Sequence, residues 1–212
     1  MAKPNALQQL KTEFDQFNVH IGIIPETWFK PHHDDQYVSI PGYKLYRSDR
    51  ANRKDGGIAI YVHSQLISIE LRPHPDGYSE NIEIIWVRCD HGTNVYYIAA
   101  CYHPPRPHYP DDLLKTELSR DLDTLLKSDC SAGAVLVLAG DFNSLNTDFL
   151  ITEFGLFQIV QKPTHGKNIL DKFFTSRPDL FDVDVFRSLV KTKHKAVFFC
   201  LCRLYTGQKP AY

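Results

Sequence analysis

Apolar residues along this chain gather in short runs separated by turn-forming residues, and the runs carry two different periods. Leu7, Leu10, Phe14 and Phe17 recur at helical spacing behind Pro4, which predicts an amphipathic helix with the proline in its first turn. Asp111 and Asp112 precede Leu113, Leu114, Leu118, Leu122, Leu125 and Leu126, which predicts a second helix running to about Lys127. The other runs have strand length. Residues 19–24, 43–47, 58–62, 66–71, 82–88 and 95–100 read as strands, the last two joined by a hairpin turn at Asp90-His91-Gly92-Thr93-Asn94. Residues 134–138, 156–160, 168–176, 183–190 and 196–202 read as further strands. The stretch 134–138 is apolar at every position, as expected of a strand buried on both faces, and Gly140 is expected to end it.

Strands dominate, and they come in runs rather than in strict alternation with helices. That predicts an α+β protein: two packed mixed β-sheets flanked by helices, a four-layer α/β-sandwich. With no repeat, low-complexity tract or linker, residues 1–207 are expected to form one domain, and 208–212 a loose tail.

The chain has 212 residues and a formal net charge of −1, so no global field draws it to nucleic acid or membrane. A nucleic-acid partner needs a local basic patch. Arg47, Arg50, Arg53 and Lys54, closed by Asp55-Gly56-Gly57, form one run that reads either as a phosphate-contacting loop or as a solvated one. The cysteines, Cys89, Cys101, Cys130, Cys200 and Cys202, are odd in number and include no C-x-x-C pair, which argues against a disulfide framework or a zinc site. Cys200 and Cys202 share one strand face and read as core packing. No stretch is long and apolar enough to span a membrane, and no apolar leader opens the chain. An intracellular protein, nuclear or cytoplasmic and not secreted, is the expectation.

Chemistry-bearing residues recur where strands end. Asp141 and Asn143 follow the buried run 134–138, two positions apart, so an extended backbone would point both the same way. A carboxylate can take a proton from water and an amide can hold a phosphate oxygen. An Asx turn explains the same spacing. Glu26 follows the strand at 19–24, and Tyr102 follows the one at 95–100. Asp171 stands inside an otherwise apolar run and needs a partner. His194 opens the last strand. His32, His33, Asp34 and Asp35 look like metal ligands, but adjacent loop residues rarely converge on one ion, and Pro31 points to an exposed turn. Two packed sheets can bring strand ends together along one rim. Carboxylates, an amide, a phenol and an imidazole gathered there suit metal-assisted phosphodiester hydrolysis, since a hard divalent cation takes oxygen ligands.

Glu26-Thr27-Trp28, Asp55-Gly56-Gly57-Ile58-Ala59-Ile60-Tyr61-Val62, Tyr102-x-Pro104-Pro105, Gly140-Asp141-Phe142-Asn143 and Leu170-Asp171-x-Phe173-Phe174-Thr175 occur in that order. The ordered set resembles the endonuclease/exonuclease/phosphatase superfamily. More closely, it resembles the apurinic-type endonuclease domain of non-LTR retrotransposon polyproteins, over about residues 3–201. The resemblance implies a magnesium-dependent hydrolase acting on DNA, with manganese as a substitute ion. It implies that Glu26 binds the metal, that Asp141 orients or deprotonates the attacking water, and that Asn143 and Tyr102 contact the scissile phosphate. Asp171 would orient His194, which would stabilise charge on the phosphorane-like transition state. A reverse transcriptase belongs to the parent polyproteins and is not found in this sequence.

Two positions depart from the family's pattern. Its last motif, Ser-Asp-His, is here Thr192-Lys193-His194, which places a cation where a metal-holding acid is expected and should weaken metal binding. The family's first strand ends in an Asn; here the early Asn5 falls in the helical segment, so that strand is expected to be lacking and a neighbour left unpaired. The implied function is a retrotransposon-derived DNA-nicking endonuclease domain. The alternative is a truncated, catalytically impaired relative that keeps the fold and nucleic-acid binding. A small-molecule or lipid phosphodiesterase of the same superfamily matches the motifs less closely.

Overall fold

The computed structural model describes residues 5–50, 55–79, 81–127, 133–190 and 192–201. Its elements, in chain order, are α1 (Ala6–Phe17), β1 (Ile21–Pro25), α2 (Asp35–Val38), β2 (Tyr43–Ser48), β3 (Ile58–His63), β4 (Ile67–Leu71), β5 (Glu83–His91), β6 (Asn94–Tyr102), α3 (Asp111–Lys127), β7 (Val135–Asp141), α4 (Asp148–Thr152), β8 (Phe157–Gln158), β9 (Asp171–Thr175), β10 (Phe181–Phe186) and β11 (Ala196–Leu201).

The strands form three sheets. The largest has six strands in the order β4-β5-β6-β7-β9-β8, mixed because β6 and β7 run parallel while the other pairs are antiparallel. A second has the order β1-β3-β2, and β10 pairs with β11 in a third. Three apolar clusters fill the spaces between four layers. Leu10 and Phe14 of α1 pack on Ala59 and Tyr61 of β3. Ile58, Ile60 and Val62, on the other face of β3, pack on Val87, Ile98 and Val137 of the six-stranded sheet, as do Val197 and Phe199 of β11. The far face of that sheet is covered by Leu114, Leu118, Leu122 and Leu125 of α3. This is the four-layer sandwich that the strand runs predict. No helix among the described residues is long and apolar enough to cross a membrane.

Several boundaries differ from the sequence expectation, each for a local reason. β7 does not end at Gly140 but runs on to Asp141. Gly140 has φ +148, and a Cβ there would lie 1.9 Å from the Cys101 carbonyl oxygen, so glycine allows β6 and β7 to approach closely. β10 stops at Phe186 because Glu13 of α1 takes over the next turn, accepting hydrogen bonds from Ser188 Oγ and the Leu189 N–H. The α3 stripe is narrower than expected: Leu126 is exposed, and the buried Asp121 takes hydrogen bonds from Trp86 Nε1 (2.7 Å) and Tyr78 (2.8 Å). Residues 32–35 form an exposed turn and helix cap, with Asp34 accepting from the Gln36 N–H. Asn5 lies just outside α1 as its N-cap. No strand precedes α1 among the described residues, and β1 has β3 as its one strand neighbour there. Pro4, Cys130, Cys202 and the tail at 208–212 lie outside the described residues.

Candidate active site

Strand register builds the site. Glu83 of β5 pairs with Tyr102 of β6, Tyr102 with Asp141 of β7, and Asp141 with Asp171 of β9. Residues paired across adjacent strands point to the same face. These four therefore form one row across the six-stranded sheet, on the face turned toward β1 and β3. The row lies at one end of that face, and the two other sheets contribute to the same rim.

Glu26 comes from the end of β1. Its φ of +53 and that of Trp28, +59, are left-handed and costly for residues with a Cβ. The glycine pair opposite holds them: the Thr27 N–H donates to the Gly57 carbonyl (3.0 Å) and the Trp28 N–H to that of Gly56 (2.8 Å). Gly57 in turn donates its N–H to Glu83, and Arg50 Nε donates to the same carboxylate at 2.6 Å. Glu26 itself accepts the Tyr102 hydroxyl, a bond that ties two sheets together. Burial, then this hydrogen bond, push the Tyr102 phenol up, so it stays protonated as a donor.

His194 comes from the turn before β11. Its Nδ1 lies 2.8 Å from Asp171 Oδ2 and 4.0 Å from Asp141 Oδ2. The hydrogen bond to Asp171 raises the imidazole pKa, against an opposing effect of burial. Asp171 is placed by Thr164, whose Oγ1 accepts the N–H groups of both Leu170 and Asp171 at 3.0 Å. Lys195 donates its N–H to the Thr164 carbonyl, so one buried threonine anchors both partners. Asp141 is 4 % exposed. Burial first, and then the charge of Asp171, push its carboxyl up to about 6.

Asn143 is not extended. Its φ is +44, its N–H donates to Asp141 Oδ1 (3.0 Å), and its Nδ2 donates to the His103 carbonyl (2.8 Å). The Asx turn is thus present, and it bends Asn143 away from the parallel placement that its spacing predicts. Phe142 packs behind, fully buried on Phe174.

The basic loop departs most from expectation. Arg47 pairs with Asp35 (2.9 Å) and Asp49 (3.0 Å), and Arg50 is buried against Glu83 with its guanidinium 5.7 Å from the centre of the Tyr102 ring. Both are turned inward to protein carboxylates rather than outward to a phosphate backbone, because a buried acid needs a cation. Arg53 and Lys54 lie outside the described residues. Glu83 and Thr164 escaped the sequence reading. Glu83 carries the same signal as Asp171, an acid inside an apolar run; Thr164 carries none.

Asp141, Asp171 and His194 offer ligand atoms within 4.8 Å of one another, so they can hold a metal ion. Glu26 lines the same cavity beside them. Burial, and after it the charges of Asp171 and Glu26, raise the Asp141 pKa; a divalent cation would offset the acids' part of that shift. The residues present fit such an ion. At Nδ1 of His194 a metal bond and the Asp171 bond exclude each other. Lys193 is exposed on the wall of this cavity.

Residues 1–191 match the family model described as the endonuclease/exonuclease/phosphatase family. The chain belongs to that family. Among solved structures it is similar to the endonuclease domain of TRAS1, a telomere-specific non-LTR retrotransposon (TM-score 0.69, 19% identity, 94% of each chain covered). It is also similar to D. rerio TDP2 complexed with single strand DNA product (TM-score 0.62, 10% identity, covering 94% of this chain and 93% of that one). ANGEL2, a 2',3'-cyclic phosphatase, matches at TM-score 0.59 and 13% identity, over 83% of this chain and 74% of that one. These likenesses establish the fold. No curated protein sequence matches. Enzymes of the endonuclease/exonuclease/phosphatase family generally depend on divalent metals.

Proposed function

We propose that this chain is a divalent-metal-dependent phosphodiesterase that nicks DNA, a nuclease of the retrotransposon type. The observation that carries this reading is the row of Tyr102, Asp141 and Asp171, meeting Glu26 and His194 on one rim. The retrotransposon endonuclease and the DNA-bound TDP2 among the structural neighbours support nucleic acid as the substrate.

In this reading Glu26 holds magnesium, or manganese in its place. The ion, when bound, polarises a phosphate oxygen and balances its charge. Asp141, its Oδ1 fixed by the Asn143 N–H, orients a water and takes its proton. A carboxyl pushed up to about 6 suits a base working near neutral pH. His194, its Nδ1 held by Asp171, presents Nε2–H to the phosphate oxygen where negative charge grows. Tyr102 would turn its one O–H from Glu26 to the same phosphate oxygen once Glu26 holds the ion. The remaining Asn143 amide group contacts the scissile phosphate.

A second reading, an impaired relative that keeps the fold and DNA binding, is favoured by one observation. Lys193 stands exposed on the wall of the cavity that the acids line, at the position where the resemblance implies a carboxylate. Nicking of supercoiled plasmid separates the two. Purified protein is incubated with magnesium, with manganese and with EDTA, beside the Asp141→Ala variant. Metal-dependent nicking absent from the variant is expected. Folded protein that binds the plasmid without nicking it sinks the enzyme reading in favour of the second.

A further inference from the structure

β4 is one edge of the six-stranded sheet, with β5 as its one strand neighbour among the described residues. Edges of natural sheets are usually blunted by lysine, proline or a bulge, because unpaired peptide groups invite another strand. β4, Ile67-Ser68-Ile69-Glu70-Leu71, has no lysine or proline, and it pairs with β5 residue for residue. Ile67 is 75 % exposed and Ile69 59 %. Both stand on the face where Leu71, on the same strand, packs against the α3 cluster. An open edge with two bare isoleucines has the character of a contact surface.

The hairpin joining β5 to β6 shows which peptide groups of β4 point outward. Gly92 and Thr93 form a two-residue loop closed by the His91–Asn94 pair. The closing pair of such a loop exchanges both of its hydrogen bonds, and bonding alternates from there. Odd-numbered residues of β5 therefore bond β6, and even-numbered ones bond β4. Asp90, Arg88 and Trp86 are the β5 partners of Ile67, Ile69 and Leu71. Those three are tied inward, so Ser68 and Glu70 turn their N–H and C=O groups to the open edge. Lys44 Nζ, arriving from β2, donates to the Ser68 carbonyl at 3.1 Å, as an outward carbonyl allows.

We propose that β4 pairs with β4 of a second copy of this chain, antiparallel and centred on Ile69. The two outward residues flank Ile69, so this alignment sets Ser68 opposite Glu70 and Glu70 opposite Ser68, each with bonding groups to exchange. Ile69 then meets its own copy in the close, non-bonded kind of pair, about 4.5 Å between Cα atoms, and Ile67 meets Leu71. Charge selects the same alignment. Glu70 is the one charged residue of β4, and Lys44 stands at Ser68. Bringing Ser68 opposite Glu70 brings the Lys44 of one copy to the Glu70 of the other, twice over. Centring on Glu70 instead would oppose two carboxylates, and centring on Ser68 would set Glu70 against Leu66 and Leu71 against Gln65. The candidate active site lies at the Glu83 end of β5, and antiparallel pairing points those ends of the two copies in opposite directions. Both rims stay open, and pairing does not depend on the nuclease reading.

The test is sedimentation of the 212-residue protein over a concentration series reaching millimolar, with hydrogen exchange at each end of the series. Dimers are expected, with exchange at the Ser68 and Glu70 amides slowed at least about tenfold on association. The Ile69 amide, already bonded to β5, should change little. Glu70→Lys alters an exposed side chain and sets two lysines together. It should raise the concentration of half-association at least about tenfold. Adding Lys44→Glu exchanges the two charges and should recover the dimer. Under mild oxidation Ile69→Cys should cross-link across the two-fold axis, and Ile67→Cys, opposite Leu71, should not. A protein that stays monomeric at millimolar concentration overturns the proposal. So does a dimer indifferent to Glu70→Lys, or one that Ile67→Cys cross-links as readily as Ile69→Cys.

Discussion

Asp171 of β9 and His194, in the turn before β11, are joined by a 2.8 Å hydrogen bond at Nδ1. The acid fixes which imidazole nitrogen faces the cavity and keeps the ring charged to a higher pH. Asp171→Asn removes that charge at nearly constant shape. The His194 pKa should fall, read as the midpoint of its ring-proton NMR titration. Nicking near neutral pH should drop on the order of a hundredfold. A midpoint that stays where it was would show that Asp171 does not govern this ring.

Asp141 carries the opposite trade. Its carboxyl is pushed up to about 6 in the fold, from 3.8 in the open chain. The folded state therefore holds more proton than the unfolded between these values, and stability falls as pH rises through that window. Asp141→Asn keeps the acceptor for the Asn143 N–H and removes the charge. The variant should lose nicking, yet at pH 7 should be more stable by on the order of 2 kcal/mol. Urea midpoints at pH 4 and pH 7 check this; a gain that does not grow with pH would count against it.

Arg50 is expected to act in the fold rather than on DNA. Its removal leaves the Glu83 carboxylate buried without its cation. Arg50→Ala should cost about 3 kcal/mol of stability and leave the salt dependence of DNA binding unchanged. A shallower salt slope at unchanged stability would instead make Arg50 a phosphate contact.

Lys193→Asp replaces an exposed cation by a carboxylate on the wall of the cavity that Glu26 and Asp141 also line. The magnesium concentration that half-saturates nicking should fall about tenfold. If it does not move, Lys193 is not what sets metal affinity.

Most of the architecture was legible because the strands at 58–62, 95–100 and 134–138 are continuous apolar runs, whose burial on two faces follows from composition alone. The site's members were legible as polar residues at the ends of such runs, and Asp171 as an acid that needed a partner. What stayed hidden depends on residues far apart in the chain. Nothing near Arg50 announces Glu83, 33 positions later, so a charge run read as a surface was an interior pair. Nothing near Gly140 announces the Cys101 carbonyl, so a close strand contact read as a strand end. Thr164 looks like any turn threonine until the backbone of Leu170 and Asp171 comes back to it.

The row of Glu83, Tyr102, Asp141 and Asp171 has one consequence for how such a protein can fail. Its spacing is set by backbone pairing, with side chains alternating sides at every step. If β7 shifted by a single position, Asp141 would swing under the leucines of α3 and Gly140 would take its place. No rotamer change could bring the carboxylate back. The ladder of peptide groups thus serves as the ruler of the candidate site, and a slip too small to unfold the sheet would erase the proposed activity in one step.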